Sequence, residues 1–177
     1  AWDAAAWSNQ VFPLDEGTAL RWVQRPPTEA VYEQPITIVP GTAQLERYRC
    51  LKLIGSRNFD VEIALTYRQG DQGILVAHGD QGGGYAVYVE DGDLAFVHNG
   101  YGLVRTMQAG PLADGVSSIV LAIEAPGQLR WHAALRVDGV EVAREEDFRM
   151  LTSMAPFEGI DVGIDRRSPV SWDLYQR

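Results

Sequence analysis

The sequence predicts an all-β protein, a jelly-roll β-sandwich preceded by a short N-terminal helix and a Pro-rich arm. Beyond Gly41, apolar and polar residues alternate with a period of two almost without interruption, which is typical of half-buried strands. Two Asp-Gly dipeptides, Asp91-Gly92 and Asp138-Gly139, are typical of two-residue hairpin turns. Evenly spaced strands with Gly-containing turns and hardly any helical period favour a sandwich over other all-β folds.

Composition limits both the class and the partners. A chain of 177 residues with 46% hydrophobic and 22% charged residues can bury a substantial core. The formal net charge of -9 argues against nucleic acid and anionic membranes as partners. The sequence has no apolar run of the ~20 residues that a membrane helix needs. Cys50 has no second cysteine to pair with, and we expect it to be a buried structural thiol.

The N-terminal part, residues 1–41, is predicted to be a helix followed by an extended arm. The Ala-rich segment 1–9 favours a short helix, whose Trp2 and Trp7 we expect to pack on another surface. Prolines 26, 27, 35 and 40 then favour an extended arm, in which residues 36–39 could form a short strand. Residues 42–177 form the predicted sandwich domain.

The central prediction is a three-stranded meander over residues 73–99. Residues 73–79, 85–90 and 93–98 are the strands, with Gly82-Gly83-Gly84 as a loop. Counting outward from the Asp91-Gly92 turn places Tyr85 opposite His98. If the loop after Gly79 pairs His78 with Tyr85, then His78, Tyr85 and His98 form one row across the three strands. The same parity predicts one face with Ile74, Val76, Val87, Val89, Leu94 and Phe96, and an opposite face with Leu75, Ala77, Ala86, Tyr88 and Val97.

The other predicted strands cover residues 47–54, 58–68, 101–107, 116–124, 129–137 and 159–165, with a return strand after the second Asp-Gly turn. Their alternation predicts a common core, made of Ile63, Leu65, Val76, Val87, Phe96, Leu121, Ile123 and Leu135. The acidic run 145–147 is predicted to be a solvated loop after a strand, since adjacent strand residues cannot place two carboxylates on one face.

Several runs of residues resemble the C-terminal accessory domain of large bacterial arylsulfatases. The resemblance lies in Gly83-Gly84-Tyr85, Tyr88-Val89, Asp91-Gly92, Leu94, Asn99-Gly100, residues 135–143, residues 159–165, Ser168-Pro169-Val170-Ser171 and Tyr175. Residues 11–15 are similar to the piece that follows the last helix of the sulfatase domain itself. The resemblance implies a concanavalin-like or laminin-G-like jelly roll, in agreement with the pattern of the residues.

The resemblance also implies what this chain lacks. Sulfatases of this kind carry Cys-x-Pro-x-Arg or Ser-x-Pro-x-Arg, whose first residue becomes the formylglycine nucleophile, and Cys50 is followed by Leu51-Lys52-Leu53-Ile54 instead. We therefore expect no catalytic residues, no metal site and no cofactor in this chain. The divalent cation, calcium, would belong to the parent enzyme. The expected partner is a sulfatase catalytic domain that is absent here, and a homo-oligomer is a further possibility.

The family continues past the position of Tyr175 with a closing strand, so we expect the chain to be a fragment that has lost this strand. The predicted strand 47–54 would then be an unpaired edge. We expect either the arm, through residues 36–39, or a second molecule to cover it.

Five residues are candidates for ligand binding: His78, Tyr85, His98, Tyr88 and Trp131. The histidine row could hold a ligand, or it could be a hydrogen-bonded row at the end of a sheet, because zinc normally takes three or four protein ligands. Three functions stay open. The first is a non-catalytic accessory domain of an arylsulfatase-type hydrolase, and the second is a carbohydrate-binding module that uses Trp131, Tyr88 or Tyr101 for stacking. The third is an independent enzyme acting on glycosides.

Overall fold

The fold is known from a computed structural model, which describes residues 1–9, 32, 34–45, 47–152 and 155–174. The chain divides into two units, Ala1–Gln34 and Pro35–Arg177. In the first unit, α1 (Trp2–Ser8) confirms the predicted helix, and the Asn9 side chain donates to the Ala5 carbonyl at its end. Trp2 and Trp7 are both exposed, at 65% and 62%. The predicted Pro26-Pro27 portion of the arm lies outside the described residues.

The second unit is a sandwich of two antiparallel sheets, which confirms the predicted fold class. One sheet has the strand order β1-β6-β7-β8 and the other β5-β4-β3-β2-β9. The strands are β1 (Phe59–Ala64), β2 (Gly73–Asp80), β3 (Gly83–Glu90), β4 (Asp93–Gly100), β5 (Leu103–Pro111), β6 (Ser118–Gly127), β7 (Arg130–Val137), β8 (Val140–Arg149) and β9 (Ile160–Val162). A 3-10 helix spans Trp172–Leu174. Within the described residues, no helix is both long and apolar enough to span a membrane.

The Asp-Gly turns fix the hairpins as predicted. Asp91 and Gly92 have φ of 51° and 88°, and Asp138 and Gly139 have φ of 44° and 84°, the left-handed geometry of a type I′ turn. The register then follows the count made outward from the turn. Tyr85 lies opposite His98 on one side and opposite His78 on the other, so the predicted row of three exists.

The core lies between the two sheets and includes most of the predicted residues. Six of them are buried to 6% exposure or less: Val76, Val87, Phe96, Leu121, Ile123 and Leu135. Ile63 and Leu65 are only half-buried and pack against the rim of the core, because β1 is an edge strand. An aromatic network crosses the interior, with Phe96 edge-on to Phe148 at 5.5 Å between ring centroids.

The predicted strand 47–54 is wrong, since these residues form the helix α2 (Arg47–Ile54). Its buried positions, Cys50 at 0% and Ile54 at 1%, are four residues apart and therefore lie on one helical face. Gly55 follows the helix and donates its N–H to the Leu51 carbonyl. The Cys50 Sγ lies 3.0 Å from the Leu45 carbonyl, which confirms a buried thiol.

Because no strand forms at residues 47–54, the predicted edge does not exist there. Residues 36–39 are not a strand either and do not cover one. The chain instead joins a sheet at Leu45, which exchanges backbone hydrogen bonds with Ile160 at 3.3 and 3.2 Å. Leu45 therefore extends the β9 side of the five-stranded sheet by a single bridge.

The outer face of the five-stranded sheet is apolar and partly covered. A second buried cluster contains Ile74, Ala77, Ala86, Tyr88, Ala95 and Val97, together with Val170 and Leu174 from the C-terminal segment. The prediction for Ile74 and Leu75 is wrong, since a bulge between Ile74 and Val76 reverses their parity. Leu75 consequently packs on the main core and Ile74 on the outer cluster.

Two predicted loops belong to strands. Gly83 and Gly84 lie in β3 rather than in a loop. The strand passes very close to its neighbours there, so a side chain would not fit: a Cβ on Gly83 would lie 2.6 Å from the Ala155 Cβ. The acidic residues 145–147 lie within β8 rather than in a loop after it. There, Glu145 contacts Arg105 at 2.9 Å and Asp147 contacts Arg130 at 3.1 Å.

Candidate functional site

The predicted row of His78, Tyr85 and His98 is sealed inside the sandwich. The three side chains are exposed by 0%, 1% and 1%, and the His78 and Tyr85 rings meet edge-on at 5.3 Å. On the other side, His98 lies 5.2 Å from Phe148 and 6.0 Å from Trp131, measured between ring centroids. As folded, the row therefore packs within the aromatic core, and ligand binding by these residues would require the sandwich to open.

The electrostatics of the row follow from its burial. Desolvation lowers the pKa of His78 to about 3. Burial, assisted by the nearby positive charge of Arg105, lowers the pKa of His98 to about 4, although an N–H from its ring to the Arg149 carbonyl opposes this shift. Burial also raises the pKa of Tyr85 above its ordinary range, with a smaller contribution from Cys50. All three groups are therefore uncharged at neutral pH.

The two aromatic candidates for sugar stacking are also buried. Trp131 is 1% exposed within the main core, and Tyr88 is 7% exposed under the C-terminal segment. Neither ring offers a free face in this structure. Tyr101 differs, because it is only half-buried and lies at the turn between β4 and β5.

Tyr101 lines a groove of about 510 Å³ at one end of the sandwich. The groove is formed by the β4–β5 turn, the β6–β7 turn and the chain at the end of β8, with lining residues Tyr101, Gln128, Leu129, Arg130, Arg149, Met150 and Thr152. The Tyr101 hydroxyl lies 2.9 Å from the Thr152 hydroxyl and accepts the Thr152 N–H at 2.9 Å. The groove is shallow and open to solvent, and its surface is mostly apolar with several polar groups.

The two arginines of this groove were not singled out from the sequence. Counting outward from the Asp138-Gly139 turn places Arg130 opposite Asp147. Two register shifts in the β7–β8 pair instead bring Arg149 opposite Arg130. Asp147, whose φ is 65°, lies in one of these two bulges of β8 and still contacts Arg130. Sequence alternation gave no signal for these bulges, so only the folded register could reveal the arginine pair.

A separate group of carboxylates serves the fold. Asp80 accepts the N–H groups of Gly82, Phe157 and Glu158, and Asp161 accepts from the side chain of Gln44 and the N–H of Arg166. These bonds tie the segment 157–170 to the sheet. Among the described residues, no three His, Cys, Asp or Glu side chains are arranged to hold a metal ion.

No family model matches this chain, and no curated protein matches it either. Fold and site together define a two-sheet β-sandwich with a packed interior and an arginine-lined groove at one end.

Proposed function

We propose that this chain is a non-catalytic accessory domain of an arylsulfatase-type hydrolase, which packs against or helps to assemble the catalytic domain of the parent enzyme. The observation that carries the proposal is the outer face of the five-stranded sheet. The centre of this face is an apolar cluster that the segment containing Val170 and Leu174 buries, and beside this segment the side chains of Val104 and Trp172 stay exposed. Exposed apolar residues beside a covered apolar sheet face are suited to packing against another domain.

A groove of about 370 Å³ lies on this face beside the covering segment. Its apolar lining comes from Tyr88, Val97, Val104 and Leu174, and its polar lining from Glu90, Thr106, Gln108, Ser171 and Asp173. Val104 is 48% exposed, and Trp172, in the 3-10 helix that contributes to this groove, is 62% exposed. The proposed occupant is the catalytic domain of the parent sulfatase.

Residues that carry the resemblance have structural roles, as expected of an accessory module. Asn99 is 3% exposed; its amide donates to the Gln81 and Val170 carbonyls at 2.9 and 3.0 Å, and its oxygen accepts the Gly102 N–H at 2.7 Å. Asn99 thereby joins two turns to the C-terminal segment. Because these residues maintain the fold rather than a cleft, they support an accessory role over an independent enzyme.

The proposal predicts that the isolated chain does not hydrolyse sulfate esters. The parent reaction would need formylglycine and a divalent cation, and this sequence carries neither Cys-x-Pro-x-Arg nor Ser-x-Pro-x-Arg. The measurement is release of nitrophenol from 4-nitrophenyl sulfate by purified chain. Turnover that rises in proportion to chain concentration would refute the non-catalytic assignment.

The docking face is tested in the native protein by Val104→Lys, with Val142→Lys as the matched control. Val142 is 42% exposed on β8, in the opposite sheet. We expect Val104→Lys to lower sulfatase activity and the unfolding temperature of the native protein, while Val142→Lys leaves both unchanged. Equal effects of the two variants would refute the assignment of this face. A native protein no longer than these 177 residues would refute the accessory role itself.

A carbohydrate-binding module is the second candidate, and the groove beside Tyr101 favours it. Aromatic rings with nearby hydrogen-bonding groups are suited to sugar rings, and Tyr101 has Gln128 and Thr152 beside it. A glycan array probed with the isolated chain tests this candidate. Binding that Tyr101→Leu abolishes would support it, and an array without specific binding would exclude it.

A further inference from the structure

We infer that the end groove binds an anionic saccharide, a sugar ring whose sulfate or carboxylate lies between Arg130 and Arg149. The inference deepens the carbohydrate-binding candidate and is independent of the accessory role. Three features of the groove carry it: the placement of the two arginines, the anchoring of Arg149 and the conformation of the β6–β7 turn.

Arg130 and Arg149 are direct cross-strand partners in the β7–β8 pair. Like charges opposite each other on neighbouring strands repel, so this pairing is unfavourable for the fold alone. Asp147 contacts Arg130 at 3.1 Å, but Arg149 has no ion pair in the part of the chain that the structure describes. The guanidinium of Arg149 is therefore available to an anion, and guanidinium groups match sulfate and carboxylate oxygens in pairs.

The backbone of Arg149 is held on several sides. It pairs with Arg130 across the β7–β8 ladder. The next residue, Met150, donates its N–H to the Leu129 carbonyl at 2.9 Å. On the other side Gly100 permits close approach, since a Cβ there would lie 3.2 Å from the Arg149 Cβ. This anchoring fixes the backbone and Cβ of Arg149 at the rim of the groove, from which its side chain can reach a ligand.

The β6–β7 turn is strained in a way that shapes the groove. Gln128 and Leu129 have φ of 53° and 56°, in the left-handed region that glycine and asparagine favour. Leu129 adopts this conformation although its side chain is bulky, and it is 62% exposed. Backbone strain of this kind is concentrated at functional sites. Leu129 and Tyr101 together provide apolar surface for a ring, while Gln128 and Thr152 offer hydrogen bonds to hydroxyls.

The first experiment compares four probes by amide-resolved NMR titration of the full chain: N-acetylglucosamine 6-sulfate, glucuronic acid, N-acetylglucosamine and inorganic sulfate. We expect the sulfated sugar, the uronic acid or both to bind and to shift the amides of residues 128–130 and 149–152. The neutral sugar should bind about tenfold or more weakly, the loss expected for one charge-assisted hydrogen bond. The first two probes distinguish a sulfate ligand from a carboxylate ligand.

The second experiment uses Arg149→Gln, with Arg68→Gln as the matched control. Arg68 is exposed at the opposite end of the sandwich, next to Tyr67, whose hydroxyl lies near the Asp91-Gly92 turn. Arg149→Gln should lower the affinity for the anionic sugars about tenfold and change the affinity for the neutral sugar by no more than about twofold. Without ligand, it should raise the urea midpoint, because it removes the cross-strand repulsion. Gly100→Ala keeps both charges but brings a Cβ to 3.1 Å from the His98 ring and 3.2 Å from the Arg149 Cβ, and it should also weaken binding by displacing Arg149.

Each outcome decides the inference. Equal affinity for the neutral and anionic sugars, or no effect of Arg149→Gln, would refute the anion site while leaving carbohydrate binding intact. Inorganic sulfate binding as tightly as the sugar sulfate would mean an adventitious ion only and would overturn the role of Tyr101 and Leu129. Loss of binding in Arg68→Gln as well would indicate general charge attraction and refute the site.

Discussion

The two buried histidines should make the stability of this protein fall steeply in mild acid. The folded pKa of His78 is lowered to about 3 and that of His98 to about 4, mainly by burial, from an ordinary value of 6.5. In the unfolded chain both rings regain the ordinary value. Below pH 6.5 the unfolded state therefore binds protons that the folded state cannot, and stability falls with pH until the folded pKa values are reached.

The size of this effect follows from the pKa differences. Between its unfolded and folded pKa values, each histidine lowers the unfolding free energy by about 1.4 kcal/mol for every unit by which the pH falls. From pH 7 to pH 5 each ring therefore removes about 2 kcal/mol of unfolding free energy, or about 4 kcal/mol for the pair. Burial raises the pKa of Asp165 to about 6, which has the opposite sign, because the folded state then binds a proton before the unfolded state does. Asp165 is partly exposed, so screening limits its gain to about 1 kcal/mol and leaves a net loss of about 3 kcal/mol.

The assay is urea-induced unfolding followed by far-UV circular dichroism at pH 7, 6 and 5 and constant ionic strength. His78→Phe is the informative variant, because neither nitrogen of His78 has a hydrogen-bond partner among the described residues and a phenyl ring keeps most of the packing. It should reduce the loss between pH 7 and pH 5 by about 2 kcal/mol. Phe96→Leu perturbs the same core without removing a titratable group and should keep the full wild-type slope.

Two results would contradict this reasoning. One is a wild-type unfolding free energy that changes by less than about 1 kcal/mol from pH 7 to pH 5, well below the loss worked out above. The other is a folded-state NMR titration of His78 with a midpoint near its ordinary value, which would mean that water reaches the ring.

Further predictions concern packing. Phe96→Ala removes a fully buried ring and should lower the unfolding free energy by about 3–5 kcal/mol in urea, against about 1 kcal/mol or less for the half-buried Ile63→Val; equal losses would place Phe96 outside the core. Gly83→Ala brings a Cβ to 2.6 Å from that of Ala155 and should cost about 1–3 kcal/mol. Adding Ala155→Gly should restore part of that loss in a double-mutant cycle, and strictly additive effects would disprove the contact.

The strands, the hairpins and one register could be predicted from the sequence because their causes are local. An Asp-Gly pair selects a type I′ turn, and the turn fixes which residues face each other on the adjoining strands. On that basis the turn pairs Tyr85 with His98, and the further assumption that the loop after Gly79 pairs His78 with Tyr85 completes the row, which the structure confirms. Its burial in an aromatic core needed both sheets, because Trp131 and Phe148 come from the opposite sheet.

The tertiary structure decided the features whose causes lie far along the chain. Residues 47–54 carry apolar side chains at both helical and strand spacings, and burial of Cys50 and Ile54 against the sandwich selects the helix. Bulges have no alternation signature, so the reversed face of Ile74 and the pairing of Arg130 with Arg149 could not be read from the sequence. A period of two fixes the face of each side chain only while a strand stays regular, and one extra residue shifts every position beyond it.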